Sequence, residues 1–121
     1  MPGFLARLFR RARAGTPEWI DSAELQRRLA AREAVVLVDV RQPEEFTAPP
    51  GHLPGAVNIP LADLSDCIGE LAARRQPIVV VCKTDRRSAR AASELCTAGV
   101  RDVAILRGGT DGWHRDGLAL D

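Results

Sequence analysis

The sequence carries little net charge and few cysteines. Its 17 basic residues nearly balance 16 acidic ones, which gives a formal net charge of +1 over 121 residues. Dedicated nucleic-acid-binding proteins usually carry a basic excess, so we expect no nucleic-acid partner. The three cysteines form no C-x-x-C pair and have no neighbouring pair of histidines, which indicates neither a disulfide framework nor a zinc site. We therefore expect a protein of the reducing cytoplasm with no metal or other cofactor.

Long hydrophobic runs are also missing. The longest ones, such as residues 34–38, are far too short to cross a bilayer. Residues 1–16 form a basic arm in which four bulky apolar side chains alternate with arginines, unlike the continuous apolar core of a secretion signal. As a helix, the arm would present an apolar face to an anionic membrane surface or a partner. As a short isolated stretch, it would instead be a frayed, solvated terminus. Both interpretations stay open.

The remaining residues, 17–121, contain enough hydrophobic side chains for one domain with one core. Short β-branched runs alternate with stretches in which apolar residues recur at helical spacing. Strands separated by helices predict an α/β fold with a mostly parallel sheet and helices on both faces. The predicted strands are 19–20, 35–40, 56–59, 78–82 and 103–106, the predicted helices are 22–31, 61–75 and 87–98, a helical turn is predicted at 43–46, and a turn is predicted at 108–112.

The most informative segment is residues 78–88, where a β-branched run ends on a cysteine, Cys82. Ligands of open α/β sheets bind at the carboxyl ends of the strands. The loop that follows carries Lys83, Arg86 and Arg87, and the N–H groups at the start of the next helix point toward the sulfur. Both features favour the thiolate over the thiol. We therefore predict that Cys82 is a reactive nucleophile and not an inert buried cysteine.

Several short segments together resemble the rhodanese-like sulfurtransferase domain. They occur in the family's order and lie between residues 19 and 118. The resemblance implies a three-layer rhodanese-like fold with a five-stranded sheet, and a cysteine that carries a sulfane sulfur as a persulfide between a donor and an acceptor. The segments are VDVR at 38–41, EF at 45–46, GHLPGAVNIP at 51–60, VC at 81–82, GG at 108–109 and GW at 112–113.

The resemblance also implies which residues act. The family's active loop has six residues starting at the catalytic cysteine, and the helix opens after it. The catalytic residue would then be Cys82. The residues that would bind substrate are Lys83, Thr84, Asp85, Arg86, Arg87 and Ser88.

The implied activity is that of a single-domain thiosulfate sulfurtransferase, which moves sulfur from a small donor such as thiosulfate to cyanide or a thiol. A second interpretation is a sulfur-carrier or redox-sensing module that receives persulfide from a partner protein and acts little on small donors. A third is a non-catalytic interaction domain. A cysteine within a cationic loop counts against the third.

Loop length distinguishes sulfur chemistry from phosphate chemistry. Tyrosine phosphatases, and phosphatase relatives of the same fold, place an arginine six positions after the cysteine, where this chain has Ser88. Arg87 comes one residue earlier, and a tighter loop suits one sulfur atom better than a tetrahedral phosphate.

The loop departs from many family members at Asp85, where glycine is common. Aspartate tolerates a positive φ better than most residues, so the turn would survive. Its carboxylate would weaken the attraction for a doubly charged donor. Alternatively, Asp85 accepts N–H bonds of the loop or pairs with Arg86, which would be a structural role.

Other polar residues receive structural predictions. Arg41 is expected to pair with a glutamate at 44–45 and so hold the long connection after its strand. His52 is expected to be a hydrogen-bonded structural histidine, because a preformed thiolate needs no general base. Cys67 and Cys96 are expected to be packing or surface residues, with a resolving role as the alternative.

Overall fold

The computed structural model describes residues 16–121, and within them a five-stranded parallel sheet lies between two layers of helices. The sheet order is β1-β5-β4-β2-β3, which confirms the predicted α/β class. The strands are β1 (Glu18–Ile20), β2 (Val36–Asp39), β3 (Val57–Asn58), β4 (Ile78–Val81) and β5 (Val103–Leu106), and the helices are α1 (Ser22–Ala30), α2 (Pro43–Thr47), α3 (Leu64–Ala73, preceded by a 3₁₀ turn at Leu61–Asp63), α4 (Arg86–Thr97) and α5 (Gly109–Arg115).

Strand β4 lies at the centre of the sheet, between β2 and β5. Every residue of β2, β4 and β5 is buried, as continuous β-branched runs predict for strands covered on both faces. Val80 packs into the core shared with α3 and α4, whereas Val79 and Val81 pack into the core on the other face. Because side chains alternate along a strand, Cys82 continues the Val80 side and faces the layer of α3 and α4.

The boundaries of two helices follow local signals. Asp21 caps α1, since its carboxylate accepts a hydrogen bond from the Glu24 N–H at 2.8 Å. Helix α4 ends before Gly99, which has a φ of 90°, a left-handed conformation that glycine adopts without strain.

One prediction at the carboxyl edge of the sheet was wrong. Residues 108–112 were predicted as a turn, but Gly109–Arg115 form helix α5, preceded by Gly108 with a φ of 83°. Three glycines in a short stretch normally indicate a turn. Here the buried ring of Trp113 packs against the core beside Leu106, and the ring N–H donates to the Ala119 carbonyl at 2.9 Å. Tertiary packing therefore stabilises a helix that local propensity does not favour.

The partner predicted for Arg41 was also wrong. The Arg41 guanidinium donates to the Asp39 carboxylate at 2.8 Å and to the Gly51 carbonyl at 3.1 Å. Residues two apart at the end of a strand point to the same side, so Asp39 is closer than the glutamates of α2. Both side chains are buried, and their pair fixes the long connection to the end of β2.

The structural prediction for His52 is confirmed, because its Nδ1 lies 2.8 Å from the Phe46 carbonyl oxygen.

The predicted arm falls outside the described residues except for Thr16. Within residues 16–121, no helix is both long enough and apolar enough to span a bilayer.

The buried pair between Arg41 and Asp39 gives a stability prediction. Arg41→Met keeps the side-chain volume but leaves the Asp39 carboxylate buried without its ion partner. We expect a loss of about 3 kcal/mol in the free energy of unfolding, measured by urea denaturation. The matched control is Arg90→Met, because Arg90 is exposed and lies 4.0 Å from Glu94; it should change stability by less than about 0.5 kcal/mol. Equal effects of the two substitutions would contradict this account.

Candidate active site

The loop after β4 places Cys82 against the start of α4. The Cys82 side chain is 1% exposed, and its thiol donates to the Ser88 hydroxyl oxygen, with Sγ and Oγ 3.2 Å apart. The Ser88 hydroxyl in turn donates to the Asp85 carbonyl at 3.2 Å. Residues 82–88 therefore close into a small loop, with the sulfur on the inner side.

The beginning of α4 lies next to this sulfur, which contacts the Ser88 hydroxyl of its first turn. Asp85 is the N-cap, and Arg86, Arg87 and Ser88 form the first turn. N–H groups of a first helical turn have no carbonyl partner within the helix, and the helix dipole makes this end electropositive. Because the sulfur contacts Ser88 in this turn, a negative charge on the sulfur would be stabilised there.

Two of the three loop cations are paired with carboxylates from other elements. Arg87 forms a double hydrogen bond with Glu45 of α2, at 2.7 and 3.0 Å. Lys83 donates to Asp111 of α5 at 2.8 Å. Arg86 is exposed, and within residues 16–121 no ion pair joins it to a carboxylate. The loop is therefore much less positive than its own residues suggest.

The ion pair between Arg87 and Glu45 is electrostatically strong. Hydrogen bonding to Arg87 lowers the pKa of Glu45 from 4.5 to about 2, although burial opposes the shift. The pKa of Arg87 is raised, first by its hydrogen bonds to Glu45 and also by electrostatic interaction with Glu45, Cys82 and Asp39, although burial opposes the shift. Arg87 is thus close enough to feel a charge on the Cys82 sulfur, while its own donors are held by Glu45.

Asp85 makes a structural contact that differs from the two considered from the sequence, a hydrogen bond from a loop N–H and a pair with Arg86. Its carboxylate accepts a hydrogen bond from the Gly108 N–H at 2.8 Å, which ties the loop to the turn after β5. Its φ is −134°, so this position needs no left-handed residue. The remaining predicted binding residue, Thr84, is exposed to solvent, like Lys83 and Arg86 of the same loop. These three exposed residues form the rim of the site.

Helix α5 packs directly on the backbone of the loop. Thr110 N–H donates to the Cys82 carbonyl at 2.9 Å, and Asp111 N–H donates to the Lys83 carbonyl at 3.0 Å. A Cβ added to Gly109 would lie within 2.3 Å of the Cys82 carbonyl oxygen, so the close approach requires glycine. Asp111 carries no local sequence signal for a role in the site, because only the fold brings it beside Lys83.

The other two cysteines lie in the same core layer. Cys96 is buried, and burial raises the pKa of its thiol, which makes it a poor nucleophile at neutral pH. Cys67 is partly buried against the same cluster. Cys82 therefore differs from Cys67 and Cys96 in its position at the start of α4 and not in its burial.

A surface cavity of about 480 Å³ lies away from the loop, at the amino ends of β4 and β5. Leu71, Arg75, Val100 and Asp102 are among the residues that line it, and none of the residues 82–88 contributes. The chemistry-bearing residues therefore lie at the opposite edge of the sheet, and we assign the candidate site there.

Comparison with known proteins points to one family. The model of the rhodanese-like domain family matches residues 21–116. A sulfurtransferase from Allochromatium vinosum is 37% identical over 101 residues, which cover 84% of this chain and 92% of the relative. An HTH-type transcriptional regulator from Mycobacterium tuberculosis is 43% identical over 109 residues, which cover 88% of this chain and 46% of the regulator.

A solved structure supports the same assignment. The crystal structure of thiosulfate sulfurtransferase from Pseudomonas aeruginosa superposes with a TM-score of 0.79 at 32% identity, covering 87% of this chain and 20% of that one. The chain therefore spans nearly the whole Allochromatium relative, but about half of the Mycobacterium regulator and a fifth of the Pseudomonas protein.

The ion pair beside the loop gives a pH-dependent prediction. Because the pKa of Glu45 in the folded chain, about 2, lies below its ordinary value of 4.5, the pair contributes its full stabilisation above pH 4.5 and loses it as the pH falls through about 2. A carbon-detected NMR titration should give a pKa of about 2 for the Glu45 carboxyl in the wild type. In Arg87→Gln, this pKa should lie closer to 4.5. The neighbouring substitution Arg86→Gln should leave it unchanged. A Glu45 carboxyl that titrates alike in all three proteins would refute the pairing.

Proposed function

Since the chain belongs to the rhodanese-like domain family, whose members include sulfurtransferases, we propose that it transfers a sulfane sulfur through a persulfide on Cys82. The observation that carries this proposal is the position of the Cys82 sulfur at the amino end of α4, 3.2 Å from the Ser88 hydroxyl. A cysteine there can hold negative charge both before and after it accepts a sulfur atom.

The first half-reaction loads the cysteine. The Cys82 thiolate attacks the outer sulfur of a donor such as thiosulfate, a new S–S bond forms, and the donor's own S–S bond breaks. Sulfite leaves with the electron pair, and Cys82 becomes Cys–S–S⁻. Ser88 can assist because its hydroxyl, which accepts from the thiol, can rotate and donate to the sulfur once the thiol proton is gone.

The second half-reaction unloads it. Cyanide or a thiolate attacks the terminal sulfur, and the S–S bond to Cys82 breaks. Thiocyanate or a new persulfide leaves, and the Cys82 thiolate is restored. One difficult transfer thus becomes two easier displacements. Neither step requires an oxidant or a cofactor, since the sulfane sulfur carries its oxidation state with it.

The loop provides what these steps require. The terminal persulfide sulfur bears the developing charge, and N–H groups held at a helix start stabilise such a charge without reorganising. The displacement itself proceeds from the Cys82 thiolate and uses no general base, and His52 is committed to the Phe46 carbonyl. Lys83, Thr84 and Arg86 are exposed at the rim, where they would meet an incoming donor.

A second candidate function is a module that receives persulfide from a partner protein. The observation that favours it is the pairing of Lys83 with Asp111 and of Arg87 with Glu45, which leaves little free positive charge for a small dianion. The relative that is a transcriptional regulator contains a matching stretch within a longer chain, an arrangement in which a persulfide would serve as a signal.

Intact-protein mass spectrometry tests the persulfide. Incubation with thiosulfate should add the mass of one sulfur atom to the wild type, and cyanide should remove it. Cys82→Ser should gain no mass because the nucleophile is gone. Cys96→Ala is the matched control, since it removes a thiol from the same core layer and should still be loaded.

Two results would count against this proposal. Wild-type protein that stays unloaded by thiosulfate, yet accepts sulfur from a persulfidated protein, would favour the carrier function. Loading that persists in Cys82→Ser would move the site to another cysteine.

A further inference from the structure

The carboxylates around the loop have a consequence for donor choice. Building on the proposed persulfide chemistry, we infer that the rim of the site selects singly charged sulfane donors over doubly charged ones, and that Asp111 is a specificity-determining residue. Such donors are persulfides, R–S–S⁻, and thiosulfonates, R–SO₂–S⁻. Thiosulfate, with two negative charges, is then a substrate that the site binds weakly.

The charges around the sulfur cancel. Three cationic side chains belong to the loop, and three carboxylates bond to the loop or lie within it. Each carboxylate is held by a contact and is not simply nearby: two form ion pairs at 2.8 and 2.7 Å, and the third accepts a backbone N–H at 2.8 Å. The cations are Lys83, Arg86 and Arg87, and the carboxylates are Asp111, Glu45 and Asp85.

Asp111 is the carboxylate whose role is best explained by its charge. The pair with Lys83 is solvent-exposed, at 44% for Asp111 and 58% for Lys83, and exposed pairs contribute little to stability. Its position is nevertheless fixed, because the Asp111 N–H donates to the Lys83 carbonyl and the preceding N–H donates to the Cys82 carbonyl. A negative charge is thereby held next to Lys83, the residue that follows the cysteine.

The electrostatic effect differs between donors by one unit charge. Asp111 repels a dianion about twice as strongly as a monoanion at the same place, and it also keeps Lys83 from serving as a free counter-ion. Glu45 plays the same part for Arg87 but is only about one-third exposed and links two elements, so its removal would disturb the loop. Asp111 is the residue whose charge can be removed with the least structural effect.

Two donors of nearly equal shape differ in charge but undergo the same reaction, so comparing them isolates the effect of donor charge. Thiosulfate and methanethiosulfonate differ by the replacement of one oxyanion with a methyl group. With either one, the Cys82 thiolate forms a bond to the outer sulfur while the donor S–S bond breaks. Sulfite leaves in the first case and methanesulfinate in the second, each with the electron pair, and the same Cys82 persulfide results.

The experiment compares kcat/KM for the two donors with cyanide as acceptor. Asp111→Asn should raise the ratio of thiosulfate to methanethiosulfonate by roughly three- to tenfold, as expected for one partly screened charge near the donor. Asp85→Asn keeps an oxygen for the Gly108 N–H and should shift the ratio in the same direction. High salt should reduce both shifts.

The matched control is Glu94→Gln, which removes a carboxylate from the exposed pair with Arg90 on α4. Eight residues separate Glu94 from the helix start at Arg86, about 12 Å along the axis, which exceeds the Debye length of about 8 Å at physiological salt. The ratio should not change. The inference would be overturned if Glu94→Gln changed the donor ratio as much as Asp111→Asn does. It would also be overturned if the ratio stayed unchanged in both Asp111→Asn and Asp85→Asn. Neither result would contradict the Cys82 persulfide.

The outcome also separates this inference from the proposed function. If neither donor loads wild-type Cys82, the donor preference and the proposed sulfur transfer from small donors both fail. If both donors load it but charge removal has no effect on their ratio, only the donor preference fails. A small alkyl persulfide and a persulfidated peptide then distinguish the two sources of a singly charged donor, since exclusive use of the peptide would indicate a protein donor.

Discussion

The site depends on the burial of β4 at the centre of a parallel sheet. Because β4 pairs with β2 on one side and β5 on the other, the carboxyl ends of all three strands lie at one edge. The Cys82 loop, the Asp39 and Arg41 pair, and the turn at Gly108 each follow one of these strands. Segments distant in sequence therefore meet at one edge of the sheet, beside the Cys82 loop.

Two kinds of positive potential act on the sulfur, and they have different roles. The N–H groups at the start of α4 are part of the backbone, so no carboxylate removes them unless it caps the helix. Asp85 is the N-cap, but its carboxylate bonds to Gly108 and makes no capping bond. The side-chain cations, in contrast, are paired with Glu45 and Asp111. On the proposed persulfide chemistry, the backbone would stabilise the charge on the sulfur itself, while the paired side chains would govern which anion approaches.

The parts of this arrangement that are local in sequence could be predicted. The β-branched run into Cys82, the Asp21 cap and the stop at Gly99 each depend on residues within one element, and the fold class followed from their alternation. The contact of Cys82 with Ser88 lies within one loop.

The ion pairs could not be predicted in the same way, because 42 residues separate Arg87 from Glu45 and 28 separate Lys83 from Asp111. A chain with 16 acidic residues offers many partners for each cation, and only the sheet order decides among them. The same limit explains why Arg41 was assigned to the wrong carboxylate.

Burial of Cys82 bears on selectivity as much as on reactivity. A persulfide exposed to solvent would react with any small thiol, since the terminal sulfur is an accessible electrophile. On the proposed chemistry, a donor or acceptor would reach Cys82, which is only 1% exposed, after neighbouring side chains move aside. Lys83 and Asp111 lie beside the backbone of Cys82 and are themselves exposed and paired. Breaking an exposed pair of this kind costs little free energy. A charged reactant could therefore displace either partner of this pair at little cost, which links the choice of reactant to its charge.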